Sequence, residues 1–311
     1  MTKARRGATD LSGILVIDKP WGMTSHDVVA LVRRSTGERR IGHAGTLDPA
    51  ATGVLVVLVG SATRLTPFLT GADKAYIARI AFGTETDTDD AQGKAVRTAP
   101  VPSALEDPGY AAEVLARLIG TCQQLPPAYS AIKRGGVTAH RAARAGVPLD
   151  LEPRDIRVRE AGLLGIAHDP GVCWDASFLV SKGTYLRSIA RDLGASLGTA
   201  AHLSTLRRTA SGCFTLAVAR SLDEIVDAGP GCASMFADPV PALGMPTRNL
   251  TSDDVRRAEV GAAIDVGALD GARPDSLVAM LDERRLYALY ALSGDDGLLR
   301  AHTVFAGGVA R

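Results

Sequence analysis

The sequence has few cysteines, and their spacing argues against several kinds of site. Four cysteines are spread over 311 residues, at Cys122, Cys173, Cys213 and Cys232. No pair has the short spacing of a metal knuckle or a redox motif, so we expect reduced thiols. No cluster of histidine, cysteine and acidic residues has ligand spacing either, and the sequence therefore predicts no metal.

Several other patterns are missing. No glycine-rich loop follows a strand and no Walker lysine is present, so a nucleotide cofactor finds no support. No apolar run approaches a membrane span, and the run at 14–17 is too short for the core of a secretory signal. We therefore expect a cytoplasmic protein with no membrane partner. Internal repeats, low-complexity tracts and heptads are also missing, which excludes solenoids and coiled coils.

What the chain does have is an uneven distribution of charge, although the formal net charge is only +1. Residues 1–40 carry eight bases and four acids, residues 133–159 seven and three, and residues 182–208 five and one. Residues 221–311 carry eight bases and fourteen acids. Two interpretations of the basic segments stay open: a polyanion-binding surface, or ordinary solvated surface charge.

The stretch 42–53, Gly-His-Ala-Gly-Thr-Leu-Asp-Pro-Ala-Ala-Thr-Gly, places a single carboxylate, Asp48, on a stiff loop. Glycines permit backbone conformations that other residues avoid, and Pro49 restricts both itself and Asp48. Residues 54–59 are all apolar, which is typical of a strand buried on both faces. Asp48 is therefore a candidate catalytic group, although an aspartate that caps its own turn explains the same pattern.

Apolar periodicity predicts the elements around this loop. We expect a strand at 13–18, then a helix capped by Thr24 or Ser25 and ended by Gly37. Residues 74–82, 157–166 and 172–180 are predicted strands, and Thr184 is a candidate helix cap. The acidic stretch 84–94 lacks calcium-loop offsets and is interpreted as a hairpin connection. After about residue 246, short apolar runs between Gly and Asp indicate a small β-rich region. The pattern alone predicts an α/β (α+β) fold with several buried strands.

Five strings resemble, in order, the motifs of the TruB family of pseudouridine synthases. They are Asp-Lys-Pro-x-Gly-x-Thr-Ser at 18–25, Gly-His-Ala-Gly-Thr-Leu-Asp-Pro at 42–49, Lys-x-Tyr at 74–76, Gly-Thr-Tyr-Leu-Arg at 183–187 and Leu-Arg-Arg at 206–208. The resemblance covers about residues 13–215. It implies a long mixed, largely antiparallel sheet with a central cleft in a catalytic domain at 1–245. It also implies an RNA-binding insertion at about 126–150 and a PUA-like domain at 246–311.

The resemblance implies an activity and a partner. The expected reaction isomerises uridine 55 in the T-loop of tRNA to pseudouridine, after the base is flipped out, and needs no cofactor. The expected protein is a monomer without an obligatory protein partner. Two alternatives are a non-catalytic tRNA-binding or folding factor, and the catalytic subunit of a guide-RNA-dependent particle.

The resemblance also implies roles for residues. Asp48 would be the nucleophile. Tyr76 would stack on the target base, Tyr185 would position it or move a proton, and Leu206 would line its pocket. His43 would replace the displaced base or wedge the loop open, and Arg187 would pair with Asp48. Candidates for the RNA backbone are Lys19, Lys133, Arg134, Arg141, Arg144, Arg207 and Arg208, although Lys19 is also explained as a structural lysine near the active site.

Overall fold

The computed structural model of the chain describes residues 9–265, 276–292 and 298–311. Lys3, Arg5 and Arg6, which contribute to the basic N-terminal segment, lie outside the described residues. No helix in the described part of the chain is long and apolar enough to cross a membrane.

Strands and short helices alternate along the chain. The strands are β1 Gly13–Lys19, β2 Ile41–His43, β3 Ala51–Val59, β4 Lys74–Phe82, β5 Thr84–Thr86, β6 Ala95–Thr98, β7 Gly120–Gln124, β8 Lys133–Arg134, β9 Val137–Thr138, β10 Arg154–Ala167, β11 Cys173–Val180, β12 Ala201–Ser211, β13 Phe214–Thr215, β14 Arg220–Ser221, β15 Thr247–Asn249, β16 Ile264–Asp265, β17 Leu277–Leu281, β18 Arg285–Leu292 and β19 Leu298–Ala310. The α-helices are α1 Ser25–Thr36, α2 Thr66–Leu69, α3 Pro108–Ala116, α4 Ala139–Arg144, α5 Leu186–Ser196, α6 Leu222–Ala228, α7 Val240–Leu243 and α8 Ser252–Glu259. Turns of 3-10 helix lie at Gly60–Leu65, Ser103–Glu106, Leu216–Val218 and Gly229–Met235.

The described residues of 9–71 and 210–311 form one compact unit. Strand β1 pairs antiparallel with β3 from Gly13↔Val59 to Lys19↔Gly53, and it pairs in parallel with β14. Strand β2 pairs antiparallel with β3. The apolar run at 54–59 is buried throughout, as its composition predicts.

The C-terminal strands of this unit form a five-stranded sheet in the order β15-β17-β18-β19-β16. This confirms the predicted small β-rich region. One hydrophobic cluster contains Ile14 and Val56 of the first strands together with Leu289 and Phe305 of this sheet. The predicted domain boundary at 245/246 therefore lies inside one packed unit, and a separately folding C-terminal domain stays a prediction.

Residues 72–209 form the second compact unit. Its sheet has the order β12-β4-β11-β10-β7, and the β4–β11, β11–β10 and β10–β7 pairs are antiparallel. Helices α3 and α5 contribute apolar side chains to its core, which includes the buried Trp174 and Phe178. The mixed, largely antiparallel α/β (α+β) class expected from the sequence is confirmed.

The ends of helices α1 and α5 test the predicted capping residues. Helix α1 has Thr24 at its N-cap, with a capping box to Asp27, and Gly37 ends it in the left-handed conformation at φ 73°. Helix α5 differs from the prediction. Its N-cap is Tyr185, which makes no side-chain capping bond, so the prediction of Thr184 as the cap is wrong.

Candidate active site

Asp48 lies in the loop that connects β2 to β3, and this loop is held closed by its own backbone. Ala51 N donates to Asp48 O at 3.0 Å. Gly45 has a φ of 116°, which favours glycine because a Cβ is poorly tolerated there. Asp48 itself is half-buried and follows the buried Leu47. The stiff loop expected from the glycines and the proline is therefore present.

Ser25, the first residue of α1, fixes the loop on the N-terminal side of Asp48. Leu47 N donates to Ser25 Oγ at 2.9 Å, and Ser25 Oγ donates to Leu47 O at 3.1 Å. This hydroxyl is buried and so satisfies both backbone groups of one residue where water does not reach. The Thr-Ser pair that ends the string at 18–25 thus caps a helix and positions the Asp48 loop.

Lys19 fixes the loop on the other side of Asp48. Its Nζ donates to Pro20 O and Met23 O at 2.8 Å each, and to Pro49 O at 3.4 Å. Gly22 N donates to the same Pro49 O at 2.8 Å. Lys19 has no exposed surface. An ammonium placed in this way does not reach a phosphate, so the prediction of Lys19 as an RNA-backbone contact is corrected to the structural alternative.

Replacing Lys19 with Met should loosen the Asp48 loop. The change keeps the length of the side chain but removes the donor to three carbonyl groups, and a buried acceptor left without its donor costs about 1–3 kcal/mol. We expect the free energy of unfolding in urea to fall by about that amount, with a lower kcat on an RNA substrate. Lys94, which is exposed, gives the matched control Lys94→Met. Weaker RNA binding at unchanged stability would instead mean that Lys19 touches the RNA.

His43 ends β2 opposite Val57 of β3. It is half-buried, and its ring lies edge-on to the exposed His26 of α1, with ring centroids 5.5 Å apart. Its position near the Asp48 loop follows from the pairing of β2 with β3. Its role in replacing the displaced base stays a prediction.

Tyr76 and Leu206 both border the core of the second unit. Tyr76 lies in β4 opposite Phe178 of β11. Leu206 lies in β12, which is next to β4 in the sheet. Both are half-buried and pack against the same hydrophobic cluster. An aromatic ring and an aliphatic side chain on adjacent strands suit a pocket for a planar base, and this role also stays a prediction.

Tyr185 is positioned by a residue that the sequence analysis missed. Tyr185 N donates to Gln124 Oε1 at 2.9 Å, and Gln124 Nε2 donates to Tyr185 O at 3.1 Å. Gln124 is buried at the end of β7, so its amide satisfies both backbone groups at the start of α5. Nothing in the sequence distinguishes Gln124 from the neighbouring Gln123, because the pairing spans 61 residues.

Arg187, in the first turn of α5, is only 4% exposed and is held by several acceptors. Its Nη1 donates to Thr88 O at 3.0 Å and its Nη2 to Tyr129 O at 2.9 Å. Its Nε lies 3.8 Å from Asp90 Oδ2. These partners all lie within the second unit, and the pairing of Arg187 with Asp48 stays a prediction.

The acidic stretch 84–94 is the hairpin that it was interpreted to be, with β5 paired to β6. It also supplies counter-charges to α5. Arg191 Nη1 donates to Asp89 Oδ2 at 2.9 Å, next to the pair of Asp90 with Arg187. Burial raises the pKa of Asp89 to about 6, although Arg191 and Arg187 act in the opposite direction. This role of Asp89 and Asp90 could not be predicted from the sequence, because Arg187 and Arg191 lie about 100 residues further along the chain.

The remaining basic candidates differ in exposure. Lys133, Arg134, Arg141 and Arg144 are exposed along β8 and α4, whereas Arg207 is half-buried. Arg208 is 1% exposed, so as placed it does not offer its guanidinium to a phosphate, and we correct that prediction. Its charge acts inside the unit instead. Burial, together with the Arg208 and Lys182 cations, lowers the pKa of Lys74 to about 8.

Comparisons with known proteins show which family this chain resembles. Residues 33–186 match the family described as TruB family pseudouridylate synthase (N terminal domain), and residues 187–230 match the tRNA pseudouridylate synthase B C-terminal domain. The chain is 43% identical to the tRNA pseudouridine synthase B of Thermobifida fusca (strain YX) over 282 residues, which cover 88% of this chain and 94% of that protein. It is 42% identical to the same-named protein of Mycobacterium sp. (strain KMS) over 284 residues, 89% and 94% of the two chains.

A solved structure extends the similarity to the fold. A chain in the crystal structure of a Cbf5-Nop10-Gar1 complex is 26% identical and superposes with a TM-score of 0.69. The match covers 94% of this chain and 84% of that chain.

Proposed function

Because the chain belongs to the TruB family of pseudouridylate synthases, we propose that it converts uridine 55 in the T-loop of tRNA to pseudouridine with Asp48 as the nucleophile. Membership of the family gives the isomerisation of a tRNA uridine as the activity. The modified position in the tRNA and the identity of the nucleophile are what we propose. The observation that carries the choice of Asp48 is its setting. The backbone on both sides of this one carboxylate is fixed by Ser25 and by Gly22 and Lys19.

The conversion of uridine to pseudouridine requires one nucleophile and involves no change in oxidation state. The bond between N1 of uracil and C1′ of the ribose breaks, the base turns, and C5 bonds to C1′. A proton leaves C5 and another is taken up at N1, so atoms and charge balance. A carboxylate such as Asp48 serves by adding either to the sugar or to the uracil ring and leaving in a later step. Tyr185, held at the start of α5, is proposed to position the base or move a proton.

The proposed substrate has to be opened before it reacts. Flipping a uridine out of a folded loop costs roughly a few kcal/mol. Stacking of the base on Tyr76 would offset about 1–3 kcal/mol of this cost. Leu206 would line the same pocket, and His43 would occupy the space that the base leaves.

We further propose that the chain acts as a monomer in the cytoplasm, without an obligatory protein partner or cofactor. All four cysteines are free thiols, which suits a reducing compartment. The relatives named tRNA pseudouridine synthase B match at 43% identity over nearly their whole length, whereas the Cbf5-containing complex matches at 26%. This difference favours the stand-alone enzyme over a particle subunit.

The affinity for a T-arm hairpin should fall steeply with salt. If the four exposed cations of β8 and α4 each neutralise a phosphate, log Kd should change with log salt at a slope of about 3, or about 60-fold between 50 and 200 mM. Filter binding at several salt concentrations measures this slope.

A double variant, Arg141→Gln with Arg144→Gln, should reduce that slope by about 1.5–2 units. Arg117 offers a matched control because it is exposed at the C-terminal end of α3 and pairs with Glu113, outside the basic segments. Arg117→Gln should leave the slope unchanged. A flat salt response of the unsubstituted protein would mean that these segments do not contact phosphates.

Turnover by the purified chain tests the proposed function. The protein alone, mixed with an unmodified T-arm hairpin, should form pseudouridine. Binding without turnover would indicate a tRNA-binding or folding factor instead. Turnover only after a guide RNA or a second protein is added would indicate a particle subunit.

A further inference from the structure

Trp21 is a large aromatic side chain that the fold leaves in solvent beside the Asp48 loop. It is 67% exposed, whereas the other tryptophan, Trp174, is completely buried and donates its indole N–H to Leu105 O at 2.8 Å. Burial of an aromatic side chain is a large source of stability, and Trp21 contributes little of it. Its exposed ring is therefore available for binding.

The backbone on both sides of Trp21 is held rigidly. Lys19 Nζ donates to the carbonyl groups of Pro20, before Trp21, and of Met23, after it. Gly22 adopts a φ of 86° and donates its N–H to Pro49 O. An exposed ring on such a turn loses little conformational freedom when it binds a ligand, which favours affinity.

The pairing of the strands sets where this ring stands. Lys19 is the last residue of β1 and lies opposite Gly53, near the start of β3. The turn that carries Trp21 follows the C-terminal end of β1, and the loop that carries Asp48 precedes the N-terminal end of β3. Because β1 and β3 are antiparallel, these two strand ends lie side by side. Pro49, the residue after Asp48, accepts a hydrogen bond at its carbonyl oxygen from Gly22 N in this turn. The turn that carries Trp21 and the loop that carries Asp48 are therefore neighbours in the same unit.

We propose that Trp21 is a stacking platform for an unpaired base of the RNA loop next to the flipped uridine. The inference rests on the proposed function, because it takes RNA as the molecule at Asp48. Flipping one nucleotide leaves its neighbours without a stacking partner, and single-stranded RNA bases stack on aromatic side chains with little regard to sequence. Trp21 is a positioning residue in this role, since it does not touch the reacting base.

Tryptophan emission gives a direct test. Stacking on a base quenches an indole, and Trp21 is one of two tryptophans, so saturating T-arm hairpin should remove about half of the emission. The variant Trp21→Phe retains only the buried Trp174, and its emission should not change. Unchanged emission of the unsubstituted protein, while a labelled hairpin is seen to bind, would overturn the proposal.

Substitution gives the second arm of the test. Trp21→Ala should weaken hairpin binding and raise KM about 5- to 100-fold, with kcat within about 2-fold, while Trp21→Phe should retain most of the affinity. The thermal unfolding midpoint should not move. Leu164→Ala, at another exposed apolar side chain, is the control and should bind normally. Equal losses in Trp21→Ala and Trp21→Phe, or no loss in either, would contradict stacking.

The two proposals fail differently. If the unsubstituted protein forms no pseudouridine in the hairpin, the proposed function fails, whatever the emission does. If it forms pseudouridine and Trp21 emission stays constant, only the stacking role fails.

Discussion

Asp48→Asn should abolish pseudouridine formation while the protein still binds its RNA. The substitution keeps the size of the side chain but removes the negative charge that makes it a nucleophile, and loss of a catalytic nucleophile costs at least about 1,000-fold in kcat. The loop should keep its shape, because Ser25, Gly22 and Lys19 hold its backbone rather than the carboxylate. Single-turnover assays on a T-arm hairpin, beside filter binding, measure both quantities.

The control for this experiment is another aspartate in the same unit. Asp223, exposed in the first turn of α6, gives Asp223→Asn, which should retain normal turnover. Near-normal activity of Asp48→Asn would remove Asp48 from the mechanism. Loss of both binding and activity would show that the carboxylate is needed to hold the RNA.

Arg187→Ala should lower the free energy of unfolding by about 3–5 kcal/mol, because it leaves a poorly solvated carboxylate without its partner. The Asp90 side chain is only 14% exposed, and the carbonyl groups of Thr88 and Tyr129 lose their donors at the same time. Urea unfolding followed by circular dichroism measures the change. Catalysis should also be lost if Arg187 pairs with Asp48 as proposed.

Two further variants show how much of the loss of stability comes from the charge and the geometry of Arg187. Arg187→Lys keeps the positive charge but not the planar fork, so it should recover part of the stability and little of the geometry. Arg117→Ala removes an exposed pair and should cost no more than about 0.5 kcal/mol. A loss below about 1 kcal/mol for Arg187→Ala would contradict the view that this arginine organises the start of α5.

Local patterns in the sequence predicted local structure well. Thr24 and Gly37 bound α1 as their chemistry suggests, and the alternating run at 74–82 is strand β4. The apolar run behind Asp48 is a buried strand. These features depend on neighbours within a few residues, and such neighbours can be read from the chain.

Features that depend on distant contacts were not predictable. Gln124 holds Tyr185 across 61 positions, and Asp90 reaches Arg187 across the second unit. Arg208 looks like a surface cation in the sequence and Lys19 was open to both interpretations, yet strand pairing and packing bury both. The exposure of Trp21 was not predictable either, because no neighbouring residue in the sequence indicates that its ring stays in solvent. The hydrophobic core that β1 and β3 share with the C-terminal sheet was also not predictable, because its residues are far apart in the sequence.

Mapping of pseudouridine at single-nucleotide resolution is the most direct test of the proposed function. An unmodified tRNA transcript contains uridines in several loops and stems, so it offers the purified protein a choice of targets. We expect modification at one nucleotide, uridine 55 of the T-loop, by the protein alone, and none by Asp48→Asn. Pseudouridine at other positions instead, or an equal yield from Asp48→Asn, would contradict it.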